Sequence, residues 1–196
     1  MNSKINNGRF ELIIGPMFSG KSSELIRITN RYKSIGKNIL AINHSINNRY
    51  DTTNISTHDK MVLDDCITTD NLNNLKNTDK YINAEIIIIE ELQFFNGAYD
   101  FVVNAVDTDG KIVIAAGLNG DFKRQPFGDI LRLIPFAEKL TSLSALCKKC
   151  GDGTAAHFNK ILKNINSNGE QIIVGSNDKF ESVCRKHYMM DSTIMD

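Results

Sequence analysis

The sequence predicts an α/β fold, a parallel sheet flanked by helices, followed by a small β-rich lobe. Three observations predict it. Strand-like and helix-like segments alternate through roughly the first 120 residues, which is the pattern of βαβ units. Ile86-Ile87-Ile88-Ile89 is a continuous apolar run, as a strand covered on both faces requires. Three of the four cysteines fall in the last third of the chain, where the alternation stops.

Arg9–Ile14 reads as the first strand. A glycine-rich turn follows, then a helix over about Ser22–Ser34, in which Leu25, Ile28, Tyr32 and Ile35 recur at helical spacing. Lys37–Ile42 reads as a second strand. His44–Lys60 is polar and turn-rich and reads as a loop. Ile86–Ile89 is a buried strand, Ala98–Val106 a helix, and Lys111–Ala116 another apolar strand. Gly117–Pro135, rich in Gly and Phe, reads as a loop. Leu140–Leu146 and Gln171–Val174 are short β-like segments around the cysteines. The expected division is an α/β core over residues 1–140, a lobe over 141–190 and a frayed tail over 191–196.

The 196 residues fit one domain with a small appendage, long enough to bury a core without disulfides. Twenty-three basic and 23 acidic side chains give zero formal charge. That balance argues against a nucleic-acid arm or a basic membrane surface. The Ile86–Ile89 run is far too short to span a bilayer, and MNSKINNGRF lacks the apolar stretch of a signal peptide. The expectation is a cytoplasmic protein with reduced thiols and no nucleic-acid or membrane partner.

Gly15-Pro16-Met17-Phe18-Ser19-Gly20-Lys21-Ser22 fits G-x-x-x-x-G-K-[ST] in full, after a strand and before a helix. The glycines let the backbone wrap closely around phosphate, and the following helix adds its dipole. Lys21 is expected to reach the β- and γ-phosphates and Ser22 to place its hydroxyl on Mg²⁺. The motif points to a nucleoside triphosphate and is silent on the acceptor.

Glu90 and Glu91 end the Ile86–Ile89 run, and in an open α/β sheet ligands sit at the carboxyl ends of strands. Glu90 is expected to hold the Mg²⁺ shell, and Glu91 to take a proton from an attacking hydroxyl. Neighbours on a strand point to opposite faces, so the chain must turn near Glu91 if both serve one site.

Cys147-Lys148-Lys149-Cys150 and Cys184-Arg185-Lys186-His187 supply three thiolates and an imidazole, a closed tetrahedral set for structural Zn²⁺. The rival readings are a redox C-x-x-C and incidental thiols. The redox motif belongs near a thioredoxin-like βαβ pattern, which is absent around these residues. Cys66 lies outside the set, and His44, His58 and His157 show no ligand spacing.

Taken together, GPMFSGKS, EELQFF over Glu90–Phe95, KRQPFG over Lys123–Gly128 and FESVCRKHY over Phe180–Tyr188 resemble the type II, zinc-containing thymidine kinases of animals, bacteria and large DNA viruses. The resemblance runs from about Arg9 to Tyr188. It implies transfer of the γ-phosphate of ATP to the 5′-hydroxyl of thymidine with Mg²⁺, a RecA-like P-loop core, a zinc-held lasso lobe and a homotetramer. Lys21 and Ser22 match the phosphate and magnesium positions, Glu91 the catalytic base, and Arg49 an arginine near the phosphates. Met17, Phe94, Leu118, Phe122 and Phe127 match the nucleoside pocket. Val174, Gly175 and the stretch to Phe180 match the lasso segment that contacts the base. Glu90 stands where the family usually has Asp, Leu92 replaces a small residue and Phe180 a Tyr. Gly151–Asn159 is two residues longer than usual, which puts Asn159 at a position commonly Thr or Ser. These departures keep two alternatives open: a deoxynucleoside kinase with another base preference, and a nucleotide-binding protein with impaired turnover. A zinc-ribbon nucleic-acid ATPase is a weaker one, because the charge is zero and no basic aromatic stripe is present.

Overall fold

The computed structural model describes residues 8–46, 55–56, 62–63, 65–162, 171–172 and 179–190. In chain order the strands are β1 Arg9–Ile14, β2 Ile39–His44, β3 Ile55–Ser56, β4 Val62–Leu63, β5 Ile67–Thr69, β6 Ile86–Ile89, β7 Ile112–Gly117, β8 Lys139–Ser142, β9 Ala145–Leu146, β10 Ala155–Ala156, β11 Phe158–Ile161 and β12 Phe180–Val183. The α-helices are α1 Lys21–Lys33, α2 Asp79–Asn83, α3 Ala98–Val103, α4 Ile130–Leu133 and α5 Arg185–Met189.

Six strands form one sheet in the order β5-β2-β6-β7-β1-β8, and every pairing in it is parallel. Side chains alternate between its faces with period two. Ile13, Ala41, Ile86, Ile88, Ile114 and Ala116 pack under Leu25, Ile26 and Ile28 of α1. Leu12, Ile14, Leu40, Ile42, Ile87, Ile89, Val113 and Ala115 pack on the other face under α3 and α4. All four isoleucines of β6 are fully buried, which explains the unbroken apolar run. Among the described residues, no helix is long and apolar enough to cross a membrane.

Several local expectations shift. β2 runs on to His44, because Asn43 and His44 pair with Thr68 and Thr69 of β5. The stretch expected as a loop after His44 contains β3, which pairs antiparallel with β4 just beyond it. Gly117–Pro135, expected as a loop throughout, holds all of α4, buried through Ile130 and Leu133. The helix over Ala98–Val106 is α-helical to Val103 and then widens into a π-turn over Asn104–Thr108. Leu140–Leu146 divides: β8 joins the main sheet beside β1, and β9 pairs with β10. Elements this short carry too few periods to be read from one sequence. Gln171 and Ile172 are not in a strand, and the rest of that expected segment lies outside the described residues.

Beyond the sheet, β11 and β12 form an antiparallel ladder, and α5 follows β12 directly. Among the described residues, the buried hydrophobic cluster of this region is Ala145, Cys147, Ala156 and Val183, with Phe18, Cys150, Phe158, Cys184 and Tyr188 packed against it. Two glycines with positive φ, Gly151 and Gly153, and the Asp152 side chain bonded to Thr154 form the turn between β9 and β10.

Candidate active site

The loop from Gly15 to Gly20 leaves β1 at its carboxyl end and enters α1 through Gly20, whose φ of 84° suits glycine. Gly15 is fixed by space: a Cβ there would sit 2.7 Å from both the Leu143 carbonyl oxygen and Ser19 Oγ. Lys21 is buried, and its Nζ donates to the Pro16 carbonyl at 2.7 Å. Burial pulls its pKa down, opposed by the charges of Glu91 and Glu90. Ser22 Oγ donates to Glu90 Oε1 at 2.5 Å, which joins the start of α1 to the end of β6.

Glu90 is 2% exposed, and its Oε2 has no hydrogen-bond partner among the described residues; the same holds for Ser19 Oγ. Burial and the neighbouring Glu91 charge push the Glu90 pKa up to about 8, against the Ser22 hydrogen bond and Lys21. A buried carboxylate oxygen with nothing to accept from, beside a serine hydroxyl, offers hard oxygen atoms that fit Mg²⁺. The longer side chain of Glu, relative to Asp, still reaches Ser22 directly.

Glu91 adopts φ 54°, ψ 45°, a left-handed conformation that costs a non-glycine residue free energy and is concentrated at functional sites. This is the turn that the paired carboxylates require. Gln93 holds the result in place. Its Oε1 accepts from the Leu118 N–H at 3.0 Å, which fixes the amide so that Nε2 donates to Glu91 Oε2 at 2.6 Å. Gly117 and Gly128 make room for it: a Cβ at either would come within 2.5 Å of a Gln93 oxygen.

Glu91 opens onto a cavity lined also by Met17, Phe94, Leu118, Phe122, Phe127, Asn159 and Phe180, with Asp121 and Gln171 completing it. The Phe94 and Phe127 rings meet edge to face at 5.4 Å, and Phe122 and Phe180 lie 6.2 Å apart. An apolar, aromatic wall with a few polar groups suits a planar base carrying a sugar. His44 packs on Phe94 and Phe95, and burial lowers its pKa. Arg49, Val174 and Gly175 lie outside the described residues.

Cys147, Cys150, Cys184 and His187 converge, with their ligand atoms all within 4.8 Å of one another. His187 Nδ1 lies 3.5, 3.4 and 3.4 Å from the three sulfurs, and Cys150 Sγ is 3.8 Å from Cys184 Sγ. A tetrahedral ion with Zn–S of about 2.3 Å and Zn–N of about 2.0–2.1 Å needs ligand separations of this size. Cys66 is buried in the core beneath α1, away from the set. Next to His187, the Tyr188 hydroxyl donates to the Phe122 carbonyl, so α5 is tied to the cavity wall.

Gln93 and Ser182 are site residues that sequence reasoning missed. Gln93 sits inside the EELQFF signature, which was a usable signal. Ser182 likewise sits inside FESVCRKHY, but nothing in that motif points to its contact, which lies 165 residues away in sequence.

The comparisons agree with this geometry. A family model described as thymidine kinase matches residues 8–188. The thymidine kinase of Choristoneura fumiferana entomopoxvirus is 43% identical over 190 residues, covering 94% of this chain and 98% of that protein. That of vaccinia virus (strain Western Reserve) is 41% identical over 188 residues, covering 94% and 99%. Thymidine kinase a of Arabidopsis thaliana is 36% identical over 194 residues, covering 96% and 78%. With a family match over nearly the entire chain and relatives at this identity along it, the chain belongs to the thymidine kinase family.

Proposed function

We propose that the chain transfers the γ-phosphate of ATP to the 5′-hydroxyl of thymidine, giving thymidine 5′-monophosphate and ADP. The observation that carries this reading is the junction at Glu90 and Glu91. One carboxylate faces the phosphate-loop serine and the next faces a cavity walled by aromatic side chains, so donor and acceptor meet there. The RecA-like P-loop core is part of the same reading.

The loop amides and Lys21 bind the β- and γ-phosphates, Lys21 exchanging its Pro16 carbonyl for phosphate oxygens. Ser22 and Glu90 are the residues that would hold Mg²⁺, which when bound neutralises charge on the β- and γ-phosphates. Glu91 accepts the 5′-hydroxyl proton as the oxygen forms its bond to the γ-phosphorus and the bond from that phosphorus to the β-bridging oxygen breaks. Gln93 keeps the Glu91 carboxylate turned toward the cavity. Phe94 and Phe127 pack on the base, Met17, Leu118, Phe122 and Phe180 close its apolar sides, and the Val174–Gly175 backbone reads its polar edge. Arg49 supports the phosphates. Cys147, Cys150, Cys184 and His187 hold structural Zn²⁺ with no ligand position left for chemistry. A cytoplasmic homotetramer without nucleic-acid or membrane partners completes the proposal, and sedimentation analysis tests its stoichiometry.

Incubation with ATP, Mg²⁺ and each of thymidine, deoxyuridine, deoxycytidine, deoxyadenosine and deoxyguanosine, with detection of the 5′-monophosphates, tests the reading. Thymidine and deoxyuridine are expected to be the substrates. Turnover of another base in their place would overturn the assignment of thymidine, and ATP binding with no turnover would overturn the assignment of a kinase.

A further inference from the structure

Met17 is the residue at which the phosphate loop meets the nucleoside cavity. Its side chain lines the cavity, while its backbone belongs to the loop. Both polar atoms of that backbone are taken from outside the loop. The Met17 N–H donates to Asn159 Oδ1 at 2.7 Å, and the Met17 carbonyl accepts from Ser182 Oγ at 2.6 Å. Asn159 and Ser182 are directly opposite each other in the β11–β12 ladder, so their side chains leave the same face. They are 5% and 2% exposed. Asn159 has a second tie: its Nδ2 donates to the Gly120 carbonyl at 3.3 Å, in the segment that follows β7 and forms another wall of the cavity. That bond fixes the orientation of the amide, with its oxygen toward Met17.

We infer that Asn159 and Ser182 act as a clamp on the Met17 backbone, positioning residues that set the distance between the phosphate loop and the nucleoside cavity. The inference rests on the kinase reading proposed above. Three consequences follow from the bonding. The Met17 N–H is spent, so the phosphate cradle is built from the amides that come after it. The carbonyl end of Asn159 is spent too, so it serves the base by holding the wall and not as an acceptor for it. The zinc-held lobe also reaches the loop through buried hydrogen bonds, and in-line phosphoryl transfer is sensitive to small misplacements of the reacting atoms.

The test uses Asn159→Ala, Ser182→Ala, their combination, and two retaining variants, Asn159→Asp, which keeps the acceptor, and Ser182→Thr, which keeps the donor. Each alanine change is expected to lower kcat about tenfold, the size of effect of one lost hydrogen bond. KM for ATP should stay within about twofold. The double variant should cost less than the product of the singles, because both act on one peptide group. Ser182→Thr should restore most of kcat, and Asn159→Asp part of it. Independently of activity, amide hydrogen exchange at Met17 should be slow in the parent and at least about tenfold faster in Asn159→Ala, because its protecting acceptor is gone.

Unchanged Met17 exchange would overturn the clamp. So would alanine variants whose activity falls only in step with their melting temperature or zinc content. A changed ranking of nucleosides at unaltered kcat would overturn it in favour of direct base contact by Asn159. The parent protein in the same assay separates the two proposals. If it makes no thymidine monophosphate, the functional proposal fails, and the exchange result still decides whether the clamp holds the loop.

Discussion

The phosphate end of the site stands on β1 and β6, inner strands of a six-stranded sheet whose side chains are buried on both faces. The nucleoside end leans on β11 and β12, a two-stranded ladder beside a buried core of four residues. An isolated two-stranded ladder is marginal in water, and four small or sulfur-bearing side chains add little apolar burial. The first region is held by the hydrophobic effect; in the second, zinc on Cys147, Cys150, Cys184 and His187 is the proposed source of what the small core lacks. The two regions meet through partly buried hydrogen bonds at Met17 and Phe122 and through Phe18, which packs against the smaller cluster.

Removing zinc is the strongest way to break this comparison. Structural zinc contributes folding free energy outright in small domains. Chelation, or Cys184→Ser, is expected to abolish thymidine phosphorylation while the sheet keeps its cooperative melting and its ATP affinity. Calorimetry together with nucleotide titration measures both. Loss of the sheet transition along with the metal would mean that the two regions are one unit.

Glu91→Gln probes the junction. It removes the proposed base and keeps a side chain able to bond Gln93. The expected fall in kcat is about 10²–10⁴-fold, the range for a lost general base, with the melting temperature nearly unchanged. Steady-state kinetics and a thermal scan check it.

Gly15→Ala tests how tightly the sheet side is packed. The added methyl meets the Leu143 carbonyl oxygen and Ser19 Oγ at 2.7 Å; the hydroxyl can rotate away, but the carbonyl cannot retreat without a backbone shift. Overpacking of this kind costs about 1–3 kcal/mol, which for a chain of this size lowers the melting temperature by about 2–4 °C per kcal/mol. ATP binding should weaken in parallel, since Gly15 itself belongs to the loop that must shift.

A pH dependence from Glu90 probes the junction in the metal-free protein. Its folded-state pKa is raised from 4.5 to about 8 by burial and the Glu91 charge. Between those values the folded protein keeps a proton that the unfolded chain has released, so stability falls as pH rises through that window. In magnesium-free and nucleotide-free buffer, Glu90→Gln should remove this slope. Its melting temperature, compared with that of the parent, should improve steadily from about pH 5 to pH 8. An identical slope in both proteins would assign the dependence to other groups.

Much of the site is legible without coordinates. The phosphate motif, the two glutamates and the C-x-x-C and C-x-x-H pairs are local patterns whose spacing states their chemistry, and the resemblance reaches the aromatic residues around the cavity. Ser182 and Gln93 are different. A serine in a strand and a glutamine in a short turn have many uses, and which one applies depends on partners far away in the chain. Asn159 was legible as a residue of the cavity. That its amide is committed to Met17 and Gly120 was not.

By itself, the sequence determined the parallel α/β core, because an unbroken isoleucine run and helical spacing leave few other ways to bury the apolar side chains. It likewise located the G-x-x-x-x-G-K-S loop, the acidic pair and the Cys147, Cys150, Cys184 and His187 cluster, because each is a short-range pattern. The tertiary structure alone decided that β8 joins the main sheet, that Glu91 turns left-handed so that both carboxylates serve one site, and that Asn159 and Ser182 grip the phosphate loop. Those outcomes depend on hydrogen bonds and packing between residues distant in the chain, and only the assembled fold brings such groups within reach of one another.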